Sequence, residues 1–150
     1  ERADSVARQL EQAGLVVMRR SKHFSEGKPD VLLVDTTGEL AGWYLCATVV
    51  FVGKSLCAQG GQNPAEPIAA GVPVIFGPHM QNFSTLVRAF LHKGGAMEVK
   101  NATGIRNAVT DLLASSNLRA DMVANAAKCL EIHRGATKKT TDLLQSRILL

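Results

Sequence analysis

Val49-Val50-Phe51-Val52-Gly53-Lys54-Ser55-Leu56-Cys57-Ala58-Gln59-Gly60-Gly61-Gln62-Asn63-Pro64-Ala65-Glu66-Pro67 is an apolar run that enters a glycine-rich turn and leaves it as a helix. The run is unbroken rather than alternating, which is the pattern of a strand buried on both faces in a parallel sheet. Asn63 at the cap, Pro64 at the first helical position and Glu66 at the third make a capping box. Capping alone does not require Gly60-Gly61 ahead of it. Close approach of backbone to a phosphate does, and a helix N-terminus supplies free N–H groups and a favourable dipole. Pro67 has no N–H, so the turn is irregular. The local chemistry is that of an anion site, with plain capping as the alternative for Asn63 and Glu66.

Reading outward, short apolar runs alternate with helical periods. Val6, Leu10 and Ala13 share a helical face, and Gly14 supplies the stop. Strands are predicted at Leu15–Met18, Val31–Val34, Val49–Val52, Pro73–Phe76 and Ala96–Val99, with a helix over Gly38–Thr48. Phe83, Leu86, Val87, Phe90 and Leu91 follow helical spacing, with Asn82 as cap and Gly94 as stop. Ile105, Ala108, Val109, Leu112 and Leu113 repeat it, and two further helices are predicted over Leu118–His133 and Ala136–Leu149. The pattern predicts a single α/β, Rossmann-like three-layer domain over residues 1–150, with a parallel sheet and a helical C-terminal tail.

Composition narrows the function classes. Apolar content of 46% and charged content of 20% are those of a globular chain. The net charge is +4, but the basic residues are dispersed and aromatics make up only 5%, so a nucleic-acid surface is not expected. Cys46, Cys57 and Cys129 have neither disulfide nor zinc spacing, and His23, His92 and His133 have no partner spacing, so no metal site is predicted. Leu40–Gly53, fourteen residues without charge or histidine, is short of the ~20 that a spanning helix needs.

Gly53-Lys54-Ser55 after a strand invites a P-loop reading, but Thr48 occupies the place of the required first glycine. Asp35-Thr36-Thr37-Gly38-Glu39-Leu40 lies at the carboxyl end of a strand, where ligands of open α/β sheets bind. A simple turn with Thr37 as cap explains it equally well. Pro78-His79-Met80-Gln81-Asn82 takes the equivalent place after the next strand. No Gly-x-Ser-x-Gly elbow is present.

Arg19-Arg20-Ser21, Val34-Asp35-Thr36-Thr37-Gly38-Glu39-Leu40, the glycine loop, Gly77-Pro78-His79-Met80-Gln81-Asn82-Phe83 and Arg134-Gly135-Ala136, in that order, resemble the C-terminal half of bacterial Kdo transferases. The resemblance covers nearly the whole chain. Glu1-Arg2 resembles the end of a Pro-Arg-His-Pro-Glu-Arg segment, so the chain is expected to be a piece of a longer protein. Enzymes of this family move 3-deoxy-D-manno-octulosonic acid (Kdo) from CMP-Kdo onto a lipid A precursor in lipopolysaccharide core synthesis. They are inverting, metal-independent glycosyltransferases of the GT-B type, without cofactors, at the cytoplasmic face of the inner membrane.

The resemblance implies that this chain is the soluble CMP-Kdo-binding half. The acceptor site, the membrane contact and the catalytic base then lie in an N-terminal domain outside it, and no catalytic residue is expected within it. Carried over residue by residue, it implies Ser55, Gly60 and Gly61 around the phosphate, and Asn63 and Glu66 toward phosphate and ribose. Gly38, Glu39, Lys54, Gln81 and Asn82 are further donor-pocket candidates. Two residues depart from the family pattern: Lys54 replaces the usual glycine and Gln62 the usual histidine. A UDP-sugar-using GT-B transferase or epimerase, and a non-catalytic nucleotide-binding module, remain the alternatives.

Overall fold

The computed structural model describes residues 2–22, 27–131 and 136–148. The chain groups into two compact units, Glu1–Leu40 and Ala41–Leu150.

In the first unit, α1 (Arg2–Gln12) precedes two short parallel strands, β1 (Val17–Arg19) and β2 (Val31–Leu33). Val17 pairs with Val31 and Arg19 with Leu33. Gly14, at φ +84, ends α1 as its position predicts. The Leu15 N–H then reaches the Leu10 carbonyl at 3.1 Å, closing a left-handed C-terminal turn. Beyond the strands, Asp35 gathers the connections. Its carboxylate accepts from the Ser21 hydroxyl at 2.6 Å, the Ser21 N–H at 2.9 Å and Arg19 Nε at 2.8 Å. Arg19 also pairs with Asp4 on α1. The Ser21 hydrogen bond, with help from the Ser21 N–H and Arg19, holds the Asp35 carboxyl well below the usual carboxylate range, against a smaller opposing effect of burial.

The second unit contains most of α2 (Leu40–Cys46), then β3 (Val50–Val52), α3 (Ala65–Ala69), β4 (Val74–Phe76), a 3₁₀ turn (Gln81–Phe83), α4 (Ser84–Lys93), β5 (Met97–Glu98), α5 (Ala102–Ala114), α6 (Ser116–Glu131) and α7 (Ala136–Ile148). Strands β3, β4 and β5 form a parallel sheet with β4 in the centre. Val74, Ile75 and Phe76 of β4 are fully buried, as an unbroken apolar strand requires. Ile68, Val87, Phe90, Leu112, Met122 and Ala126 bring α3, α4, α5 and α6 into the same core. Gly95 admits α6 closely, because a Cβ there would lie 2.8 Å from the Ala126 backbone.

The parallel α/β architecture and the helical tail agree with the sequence-based expectation. Hydrogen bonding divides the five strands into a pair and a triplet, and each is shorter than its apolar run. The expected cap of α4 shifts: Asn82 lies inside the 3₁₀ turn and Phe83 takes the cap position. Gly94 stops α4 at φ +66 as expected. His23, His133 and the Arg134-Gly135 pair lie outside the described residues. Among the described residues no helix is long and apolar enough to cross a membrane.

Candidate functional site

The carboxyl ends of β3 and β4 are joined through one side chain. Ser55 is completely buried, and its hydroxyl donates to the Val52 carbonyl at 2.6 Å while accepting from the Gly77 N–H at 2.7 Å. The Ser55 carbonyl accepts from the His79 N–H at 2.9 Å. Gly77 allows this approach, since a Cβ there would sit 2.7 Å from the Leu56 Cα. The hydroxyl proton of Ser55 is therefore committed to the protein, which makes the residue a clamp between the two loops.

Gly60 and Gly61 are buried at φ +96 and +58. The Gly60 N–H donates to Gln81 Oε1 at 2.9 Å, and a Cβ on Gly60 would meet Asn82 Nδ2 at 2.9 Å. A Cβ on Gly61 would collide with the Met80 sulfur and come within 3.0 Å of the His79 carbonyl. Packing of one loop against the next thus accounts for the glycine pair that the sequence reading ascribes to phosphate approach.

The start of α3 also differs from the predicted capping box. Pro64 holds the cap position with no side-chain cap, and Asn63 stands one residue ahead of it. Asn63 Oδ1 accepts from the Ala65 N–H at 3.0 Å, and Asn63 Nδ2 donates to Glu66 Oε1 at 3.0 Å. Glu66 thus bonds the Asn63 side chain instead of a backbone N–H. With Ala65 N–H engaged and none on Pro67, Glu66 alone among the first three residues of this five-residue helix keeps a free N–H for an anion.

What faces solvent at this edge is a set of polar side chains: Lys54, Gln62, Asn63, Glu66, Gln81 and Asn82 are all exposed. Lys54 has φ +68, a conformation that favours glycine, at a cost of roughly 1–2 kcal/mol. Tyr44 on α2 is half-buried, and burial, then the Glu66 charge, raise its phenol above the ordinary value. Tyr44 was not a sequence candidate, because one aromatic residue in an apolar helix carries no distinguishing signal. Gly77 was legible in its loop motif, but the clamp it admits depends on residues 22 positions apart.

Gly38 and Glu39 belong to the first unit. Gly38 turns the chain at φ +85, and Glu39 binds Arg20 at 2.9 Å and the Thr36 hydroxyl at 2.6 Å. The sequence candidates thus fall into two groups, Gly38 with Glu39 and Lys54 through Asn82, each within its own unit.

Parallel strands joined by helices, with polar loops at the strands' carboxyl ends, define a Rossmann-like α/β class. No protein-family model matches the sequence. The chain is 41% identical over 147 residues to the 3-deoxy-D-manno-octulosonic acid transferase of Bordetella pertussis, covering 97% of this chain and 34% of that protein. It is 35% identical to the Haemophilus influenzae enzyme of the same name, again over 97% of this chain and 34% of the relative. The crystal structure of the C-terminal CMP-Kdo binding domain of WaaA from Acinetobacter baumannii superposes with a TM-score of 0.82 at 33% identity, covering 86% of this chain and 68% of that one. The chain belongs to the Kdo transferase family and has the fold of its C-terminal domain. It spans about a third of the length of the curated relatives it matches.

Proposed function

We propose that this chain is the donor-binding domain of a Kdo transferase, holding CMP-Kdo while a separate N-terminal domain presents a lipid A precursor. The observation that carries this reading is the match in fold and sequence to the CMP-Kdo binding domain of WaaA. The exposed polar edge of the three-stranded sheet offers suitable groups. Glu66, held by Asn63, can accept from the two ribose hydroxyls, while Gln81 and Asn82 offer amides to the phosphate or sugar. Ser55, Gly60 and Gly61 act indirectly by fixing the loops that carry these groups.

In the complete enzyme an acceptor hydroxyl attacks the anomeric carbon of Kdo, and its proton passes to a base in the N-terminal domain. The hydroxyl attacks on the face opposite the phosphate, and the bond to CMP breaks with its electron pair leaving on the phosphate, so the configuration inverts. The donor half needs no metal in this scheme, because side chains and N–H groups stabilise the departing phosphate. The product is a Kdo-bearing lipid A precursor for lipopolysaccharide, made at the cytoplasmic face of the inner membrane.

Calorimetric titration of the chain with CMP and with UDP tests the donor assignment. CMP is expected to bind the more tightly. Tighter binding of UDP would point to a UDP-sugar enzyme of the same fold, and binding of neither would remove the donor role.

A further inference from the structure

Lys54 is the one non-glycine residue with positive φ among the described residues, at φ +68. Side chains other than glycine enter this left-handed region at a cost, and such strain collects at functional sites where the surroundings enforce it. The surroundings here are rigid. The Lys54 carbonyl accepts from the Ala58 N–H at 3.0 Å and the Cys57 N–H at 3.3 Å, and the next residue is the buried Ser55 clamp. Lys54 itself is exposed at the carboxyl end of β3, and none of the ion pairs among the described residues involves it. The loops that follow β3 and β4, residues 53–64 and 77–83, contain no Asp, Glu or Arg and no second Lys. A phosphate lying along these two loops would therefore meet one lysine or arginine in them, Lys54.

We propose that Lys54 is a specificity-determining residue of the donor site, its ammonium pairing with the phosphate of the cytidine nucleotide. The proposal rests on the donor-binding reading above and adds to it the group that supplies charge. The turn fixes the Lys54 backbone at the carboxyl end of β3, so its side chain starts from the edge of the two loops.

Titrations of the 150-residue chain with CMP and with cytidine, which lacks the phosphate, test this at about 20 mM and 200 mM salt, conditions that separate weak from strong screening. Lys54→Met is expected to weaken CMP about tenfold at low salt, the loss of one charge-assisted contact. It should leave cytidine binding unchanged and flatten the salt dependence of CMP binding. Lys54→Gly should lose the same affinity while melting at a higher temperature, since glycine fits the backbone angle. That second variant separates the charge from any effect on folding.

If the wild type prefers CMP to cytidine but both variants keep its affinity and salt response, the Lys54 role is overturned and the donor reading stands. Equal losses for CMP and cytidine would also overturn it, because the loop and not the charge would then be responsible. A wild type that binds neither nucleotide brings down both.

Discussion

Ser55 and Glu66 are both donor-site candidates in the sequence, yet their surroundings give them opposite sensitivities. Ser55 is buried with its hydroxyl bonded to Val52 and Gly77, so Ser55→Ala leaves a buried N–H and carbonyl unsatisfied. The expected loss is about 1–3 kcal/mol of stability, read from the urea midpoint. CMP affinity should change little where the variant stays folded. Glu66 is exposed and holds only the Asn63 amide, so Glu66→Ala should move stability by no more than about 0.5 kcal/mol. It should cost about 1.5–3 kcal/mol of CMP binding through the lost charge-assisted hydrogen bonds to ribose. The reverse pattern, a ligand effect at Ser55 and a stability effect at Glu66, would exchange the two roles. Ser55 is a candidate through the family resemblance, and Glu66 through that resemblance and its place in the first turn of a helix. The sequence cannot separate them, since the Gly77 N–H that commits the Ser55 hydroxyl comes from another loop. The resemblance singles out Lys54 in the sequence, but its φ of +68 is visible only in the structure.

Strands and helices were more legible than the partners they take. Continuous runs such as Val74-Ile75-Phe76 announce burial on both faces, and Gly14 and Gly94 end their helices through left-handed turns. Periodicity says nothing about which strand bonds to which, so the division into β1–β2 and β3–β4–β5 was not foreseeable from apolar runs. Nor was the network that ties β1 to the turn after β2, because Asp35 lies 14 residues beyond Ser21 and 16 beyond Arg19. That network makes the first unit sensitive to acid. The Asp35 carboxyl is held below its ordinary value of about 3.9, with Ser21 the largest cause. Its contribution to stability is therefore fully present above that ordinary value and is lost as the pH falls through the lowered one. Asp4 is lowered as well, by its hydrogen bond with Arg19. Protection of the Arg20 N–H, bonded to the Leu33 carbonyl at 3.0 Å, is expected to be level from neutral pH to about 5 and to fall below about 4. Asp35→Asn should lower protection at neutral pH and flatten most of that acid dependence. An unchanged acid limb in the variant would assign the sensitivity to Asp4 or to another carboxylate.

At the scale of the molecule, the chain matches about a third of the length of its curated relatives, so binding and turnover become separable questions. Burial of Val74, Phe76, Phe90 and Leu112 gives the second unit a core of its own, and donor binding should need nothing more than the loops this core supports. Transfer needs a base within reach of the acceptor hydroxyl as well. Residues 53–64 and 77–83 contain no carboxylate, and Glu66 is held by Asn63 in the orientation proposed for ribose. We therefore expect the 150-residue chain to bind CMP and to give no transfer when supplied with CMP-Kdo and a lipid A precursor. Adding the remaining part of a parent transferase should restore product, measured as labelled Kdo in the lipid fraction. Product from the chain alone would place a base within it. The half-buried His79, whose N–H is tied to the Ser55 carbonyl at 2.9 Å, is the first residue to replace in that event, because it is the one imidazole in the two loops. Loss of that product in His79→Gln, with CMP binding intact, would move the chemistry into this domain and leave the rest of a parent transferase with the acceptor alone.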